Sequence, residues 1–300
     1  MTLTMQKIAI VGLGVIGGSF AKALAAQDKF PVEVMGIDHN LATLQRAQAD
    51  GVISRGEARN QTILQEADLV IITLYPFDLV DFIRSHQDEF KAGAIITDAT
   101  GVKGAMVEEV WQLLPAGLDF IAGHPMAGKE NQGYDYADGT VYQDANYLLM
   151  PDDRNDPAHV QALTELIYSL GFKRVSQVSA HQHDAMIAYT SQLCHVLSVA
   201  LINADQNQAE TIRYVGDSYR DLTRIAKING ELWTQLFVTN KDQLLPVIDA
   251  FAEQLQGIRQ ALADDDYAQL NAYFDESSQR RLRLEQADVK LQGQAVDIEE

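Results

Sequence analysis

Cysteine is almost absent. Cys194 is the single one in 300 residues, so no disulfide can form within the chain, and the composition fits a reducing compartment. Positive charge is also scarce: 23 lysines and arginines stand against 42 aspartates and glutamates, a formal net charge of −19. A field of that sign repels phosphate backbones and anionic lipid, which argues against nucleic-acid and membrane-surface roles. No basic run followed by a long apolar stretch opens the chain, so no signal peptide is expected. No stretch approaches the roughly 18 apolar residues of a membrane span. Repeats and low-complexity tracts are missing. The expectation is a cytoplasmic protein. What remains is ordinary globular composition, 47% hydrophobic and 22% charged, in a chain long enough to bury a core without staples. The acidic balance sets one condition: an anionic substrate requires cations gathered locally.

The first part of the chain alternates short apolar runs with helical stretches. Apolar runs at residues 7–11, 32–37, 68–74, 94–97, 119–122, 145–150 and 173–178 read as strands. Several are β-branched without strict alternation, as expected for strands covered on both faces. Residues 16–27, 41–50, 77–90 and 102–114 read as helices. The alternation predicts an α/β fold, a doubly wound Rossmann-type parallel sheet over residues 1–178. From Ser179 the pattern becomes all-helical, predicting a second domain over residues 179–300. Ser179 and Gln182 have capping-box spacing at the start of a helix, residues 183–204, that is apolar nearly all round. Such a helix belongs deep in a bundle or between subunits, and a homodimer formed through this half is expected. Later helices are expected over 218–228, 231–238, 241–262 and 266–285, with Pro246 kinking or delaying the third. The last residues are polar and read as loose.

The first strand runs into Gly12-Leu13-Gly14-Val15-Ile16-Gly17, a G-x-G-x-x-G that opens a helix, with Asp38 ending the next strand. That context makes it a dinucleotide fingerprint. Gly12 permits the tight turn, Gly14 lets a pyrophosphate approach, and Gly17 allows close helix–strand packing. The helix N-terminus at Val15 and Ile16 offers unpaired N–H groups. Asp38, placed for the adenine ribose hydroxyls, would repel a 2′-phosphate, which predicts NAD over NADP.

Ligands of doubly wound sheets bind beyond the carboxyl ends of the strands. Those ends read Leu74-Tyr75-Pro76, Asp98-Ala99-Thr100-Gly101-Val102-Lys103 and Gly123-His124-Pro125-Met126-Ala127-Gly128. Oxidising an alcohol by hydride transfer requires a base for the hydroxyl proton, and histidine is suited to that near neutral pH. His124 is the candidate. The bland alternative is a histidine satisfied by a backbone carbonyl.

His124-Pro125-Met126-Ala127-Gly128 resembles the H-P-M-A-G segment of prephenate and arogenate dehydrogenases. Residues 98–103 resemble their D-x-x-S-V-K, Tyr219-Arg220-Asp221-Leu222-Thr223-Arg224-Ile225-Ala226 is similar to F-R-D-x-T-R-I-A, and His183-Asp184 with Ser191-Gln192-Leu193-Cys194-His195 resembles H-D followed by S-H-L-P-H. The resemblance spans about residues 6–285. It implies NAD-dependent oxidation of prephenate with loss of CO2, giving 4-hydroxyphenylpyruvate in tyrosine biosynthesis. His124 is then the catalytic base and Arg224 the substrate-carboxylate ligand, with Asp221 one turn earlier to orient it. Arg220, Arg224 and Lys227 stand at four- and three-residue steps, a row able to meet a dianion, although the same spacing describes a solvated basic face. Arginine suits the bidentate task. His195 is expected near the substrate, with a core histidine as the alternative. His183 and Asp184 are expected to cap or brace their helix, and Trp233 matches a family position near the pocket, with a core aromatic as the alternative. Leu74, Tyr75 and Thr100 are expected beside the cofactor. No metal ligands are assigned.

Four positions depart from the family pattern. Gly101 replaces the usual serine, and the Thr100 hydroxyl is the candidate substitute. Lys129 follows the H-P-M-A-G segment and offers a second cation to the substrate. Cys194 replaces a proline before His195, and Gly216-Asp217-Ser218 replaces a glycine-rich lead-in. Arogenate in place of prephenate, and a non-catalytic NAD-binding regulator, are the rival readings. The length leaves no room for an added mutase or regulatory domain, so tyrosine feedback inhibition, if present, is expected at the active site.

Overall fold

The structure is a computed structural model describing residues 5–128 and 131–293. Eight strands form one sheet: β1 (Lys7–Val11), β2 (Glu33–Ile37), β3 (Arg55–Glu57), β4 (Leu69–Ile72), β5 (Ile95–Asp98), β6 (Asp119–Pro125), β7 (Asn146–Met150) and β8 (Arg174–Gln177). Their order is β3-β2-β1-β4-β5-β6-β7-β8. The chain leaves β1 for β2 on one side and returns to β4 on the other, which creates the switch-point crevice at the carboxyl end of β1.

All neighbours pair parallel except β6 and β7, which pair antiparallel with His124 opposite Leu148. The all-parallel expectation is corrected there. Two short 3-10 turns, Tyr134–Tyr136 and Gly139–Tyr142, are the regular elements described between those strands. A parallel connection would need a full crossover. β6 also extends beyond the expected end at residue 122, so His124 belongs to the strand itself.

Alternate residues of the strands feed opposite faces. Ile8, Ile10, Leu69, Ile71, Ile95 and Ile121 enter one buried cluster, while Ala9, Val11, Val70, Ile72, Ile96 and Phe120 enter another. This two-residue period, apolar on both sides, explains why the strands read as continuous apolar runs. The covering helices are α1 (Val15–Ala26), α2 (Leu41–Ala49), α3 (Ile63–Glu66), α4 (Pro76–His86), α5 (Gly104–Leu113) and α6 (Pro157–Ser169).

A helical run follows β8. α7 (Ala180–Ile187) opens on the expected capping box of Ser179 and Gln182. It passes through a π-helical turn, Ala188–Gln192, into α8 (Leu193–Asn203). The run Ala180–Asn203 is long and apolar enough to cross a membrane by length and composition, contrary to the expectation, and only 28% of its most apolar window is buried. Yet its polar members His183, Asp184, Gln192 and Ser198 are buried against the rest of the protein. Met186 and Tyr189 are exposed on the same run, at 61% and 63%. α9 (Gln208–Thr211), α10 (Asp217–Thr223), a 3-10 turn at Arg224–Ala226 and α11 (Gly230–Thr239) complete this part.

The chain forms two compact units, Met1–Gln243 and Leu244–Glu300. The expected division at residue 178 coincides with the end of the sheet, but α7 to α11 belong to the same compact unit as that sheet. The second unit is made from α12 (Lys241–Ala263) and α13 (Tyr267–Gly293). Pro246 lies inside α12 without delaying its start. The turn between the two helices uses Asp265 at φ 53°, and Asp266 N–H donates to Ala261 O at 2.8 Å. Leu255, Leu262, Phe274, Leu282 and Leu284 are exposed on this unit.

Candidate active site

The glycine turn after β1 is built for a close backbone approach. Gly12 sits at φ +85°, where a side chain is strained, and its N–H donates to Ile37 O at 2.8 Å. A Cβ on Gly17 would stand 1.9 Å from Gly12 O, so α1 can start this close to β1 only with glycine there. Gly14, by contrast, has open space where a Cβ would be, and as N-cap of α1 it offers no side-chain cap. The first N–H groups of α1, beginning at Val15, carry the partial positive charge of a helix start, which suits a pyrophosphate. Asp38, just past β2, accepts from Leu13 N–H at 2.7 Å and Asn40 N–H at 2.8 Å. Each carboxylate oxygen keeps a second lone pair for ribose hydroxyls. The residues fit a dinucleotide.

A cavity of about 520 Å³ opens beside this turn, within the size range of small-ligand sites. Ile16, Leu74, Tyr75, Thr100, His124, His195 and Arg224 all line it, together with Gly101, Lys227 and Trp233. The sequence reading draws these from opposite halves of the chain, and the fold brings them to one place. Asn229 Nδ2 donates to the Tyr75 hydroxyl at 2.7 Å, and Phe77 N–H donates to Gln235 Oε1 at 3.0 Å. These bonds tie the loop after β4 to α11.

His124 is neutral in this setting. Burial pushes its pKa well below the ordinary imidazole value, and the nearby His183 and Lys103 add to the effect. Its Nδ1 lies 2.8 Å from His183 Nε2, and His183 Nδ1 lies 2.7 Å from Asp184 Oδ1. Burial also lowers the His183 pKa, opposed by Asp184. The expectation that His183 and Asp184 only cap a helix is corrected. They form a buried pair against His124, 59 residues away in sequence.

Behind the cavity lies a second buried cluster. Lys103 and Asp98 are both fully buried and form an ion pair. Burial lowers the Lys103 pKa and Asp98 opposes that shift. Asp98 also accepts from Gly123 N–H at 3.1 Å, which fixes the residue before His124. Thr100 Oγ donates to Asp98 and accepts from Lys103 Nζ at 3.0 Å. Its hydroxyl is thus turned away from the cavity, and it does not replace the serine missing at Gly101. A Cβ on Gly101 would stand 3.9 Å from His124 Nε2 and 3.4 Å from Leu236.

Arg220 and Asp221 stand apart from the cavity lining, exposed on α10. α10 ends at Thr223 and the chain tightens into a 3-10 turn at Arg224, so the expected row of cations does not continue along one α-helix. Arg224 and Lys227 reach the lining; Arg220 does not. Lys129 lies outside the described residues. The His195 ring stacks on Trp233 with centroids 3.6 Å apart, and its Nδ1 donates to Ser191 O at 3.0 Å. Trp233 is part of the cavity wall rather than core. His183, Asp184, Asp98 and Lys103 are the residues to which sequence reasoning gives no site role, although all four lie within the motifs that carry the resemblance.

Two family descriptions match the chain: the nucleotide-binding domain of prephenate dehydrogenase over residues 20–176, and its dimerization domain over residues 179–276. A cyclohexadienyl dehydrogenase of Zymomonas mobilis is 31% identical, covering 93% of this chain and 96% of its own length. A prephenate dehydrogenase of Bacillus subtilis is 28% identical over 91% of this chain and 75% of its own. Among solved structures, Aquifex aeolicus prephenate dehydrogenase in complex with hydroxyphenyl propionate and NAD+ superposes with a TM-score of 0.86 at 26% identity, covering 95% of this chain and 100% of that one. Synechocystis arogenate dehydrogenase reaches 0.78 at 25% identity, covering 93% and 100%. By its motifs, its fold and these likenesses, the chain belongs to the prephenate dehydrogenase family.

Proposed function

We propose that this protein oxidises prephenate to 4-hydroxyphenylpyruvate with release of CO2, as a step in tyrosine biosynthesis. As a member of its family it is an NAD-dependent oxidoreductase. The single observation that carries the assignment is that His124 shares one cavity with Arg224, beside a glycine turn built for a dinucleotide. Gly12, Gly14, Gly17 and Asp38 would hold the cofactor, which supplies a hydride acceptor at the ring C4. Arg224 takes the pyruvyl carboxylate, and Lys227, Lys129 and His195 add polar contacts. His124 Nε2 accepts the C4 hydroxyl proton as the C4 hydrogen leaves as hydride. The ring carboxylate then departs as CO2, aromatisation drives that loss, and the proton on His124 returns to the phenolic oxygen. The half-buried position of His124 in the cavity wall, beside His183 and Lys103, favours the neutral base between turnovers.

Arogenate, which carries an amino group in place of the keto group, is the second reading, favoured by the likeness to the Synechocystis enzyme. A panel of prephenate and arogenate with NAD and NADP, followed by absorbance of the reduced cofactor, separates them. His124→Asn in the same panel should lose about 10²–10⁴-fold in kcat while still binding NAD; unchanged turnover would reject the assignment. The domain plan, with residues 1–178 holding the cofactor and 179–300 forming the helical dimerisation part, belongs to the same proposal. The exposed Met186 and Tyr189 on the helical run support a homodimer. A cytoplasmic location and tyrosine inhibition at the active site complete it. Competitive kinetics of tyrosine against prephenate test the last point.

A further inference from the structure

The dehydrogenase needs more of His124 than a depressed pKa. A neutral imidazole has one protonated and one bare nitrogen, and only the bare one can take a proton. Which nitrogen is bare is set by the partner of the other. At His124 that partner is His183, and behind His183 stands Asp184.

The chain of bonds has one direction. Asp184 Oδ1 accepts the Lys103 backbone N–H at 2.9 Å, so this oxygen acts as an acceptor. It is also the oxygen 2.7 Å from His183 Nδ1, which must therefore carry the proton and donate. His183, neutral, is left with a bare Nε2, 2.8 Å from His124 Nδ1. His124 Nδ1 then carries a proton and donates, leaving Nε2 bare on the cavity side. Asp184 is in turn held at the start of α5. Lys103 is the N-cap of α5, so the carboxylate sits at the positive end of a ten-residue helix. Gly104 makes room for it, since a Cβ there would stand 2.8 Å from Asp184 Oδ2.

We infer that His183 and Asp184 are positioning residues that fix the tautomer of His124, so that its Nε2 is the base. The inference rests on His124 being the base proposed above. It carries particular weight in this chain because Gly101 places no hydroxyl beside Nε2. A merely structural brace would need no directed chain of bonds. It would tolerate any pair of the same shape.

Asp184→Leu separates the two roles. Leucine keeps the shape of the side chain but removes the one oxygen that accepts from both Lys103 N–H and His183 Nδ1. Nothing then holds the proton on His183 Nδ1, so the chain of bonds can reverse and protonate His124 Nε2. In the full-length protein, long-range 15N–1H correlation spectra of the histidine rings read this directly, with the His124 signals identified by their loss in His124→Asn. The wild type should show a bare Nε2, and Asp184→Leu a protonated Nε2. Turnover of prephenate should fall about 10²–10⁴-fold in kcat, with KM within about threefold because substrate contacts are untouched. His183→Leu should lose kcat to a similar degree. His183→Gln, whose amide can accept from His124 and donate to Asp184, should stay within about tenfold of wild type. This pair carries the test if Asp184→Leu does not fold.

The charged and titratable groups around His124 and His183 are Asp98 at the end of β5, Lys103 at the start of α5, Tyr147 on β7, and Arg224 and His195 across the cavity. In His183→Leu the bare nitrogen is no longer selected, so the lost kcat should not return at any pH from 6 to 9. Wild-type kcat in both Asp184→Leu and His183→Leu, or a protonated Nε2 in the wild type, overturns the inference. A His124→Asn variant that keeps full turnover rejects instead the assignment of the base.

Discussion

Replacing Lys103 with methionine tests how the end of β5 is held. The ammonium and the Asp98 carboxylate are both wholly buried and paired. Methionine keeps the length of the side chain and deletes its charge. Asp98 would keep the Thr100 N–H at 2.9 Å, the Gly123 N–H at 3.1 Å and the Thr100 hydroxyl, but no counter-charge. Breaking a buried pair by removing one partner costs about 3–5 kcal/mol. The donors that remain put the expectation at the lower end, about 3 kcal/mol. For a compact unit of this size, reaching to Gln243, each kcal/mol moves Tm by about 2–4 °C, so the melt should fall by about 6–12 °C. The assay is thermal unfolding followed by circular dichroism at pH 8 and pH 5. An orphan buried carboxylate has its folded pKa raised above its unfolded value, and the penalty is relieved once it protonates. The gap to wild type should therefore narrow at pH 5. Adding Asp98→Asn should recover at least half of the loss. A change under about 1 kcal/mol, or a gap that widens in acid, would refute the reasoning.

Other outcomes follow from the site. Gly14→Ala should leave Tm within about 2 °C, since its Cβ meets open space, yet weaken NAD binding at least about tenfold by calorimetry. Gly17→Ala, whose Cβ would stand 1.9 Å from Gly12 O, should lose both stability and NAD binding. The pKa of His124 is held below the ordinary imidazole value of 6.5. A base must be neutral, so activity is lost as pH falls through that depressed value. The acid limb of the kcat profile should lie below pH 6.5, and a midpoint at or above it would contradict the burial argument. Trp233→Ala removes the ring stacked on His195, and should raise KM for prephenate more than it lowers kcat; an effect confined to kcat would count against a binding role.

Much of the fold was legible because its signals are local. Strands buried on both faces are mostly apolar, so β1, β2, β4, β5, β6 and β7 appear as runs, while the half-buried β8, Arg174-Val175-Ser176-Gln177, stands out only through its flanking residues. β3 escaped because Arg55-Gly56-Glu57 has no apolar side chain and is held to β2 by backbone pairing. The reversed direction of β7 escaped because apolarity does not encode direction. In the site, the glycine turn and His124 could be found from the order of motifs. The His183–Asp184 pair could be noticed as a motif but not interpreted, because its meaning is a distance to a ring 59 residues away. Thr100 shows the same limit from the other side: its place in the cavity wall was readable, while the direction of its hydroxyl depended on Lys103 and Asp98 folding beneath it.

The most direct measurement is a crystal structure of the protein with NAD and hydroxyphenyl propionate. The account predicts the phenolic oxygen within about 3.2 Å of His124 Nε2 and the propionate carboxylate on the Arg224 guanidinium. A ligand whose phenolic oxygen lies away from Nε2, or whose carboxylate is held elsewhere with Arg224 turned out of the cavity, would contradict it.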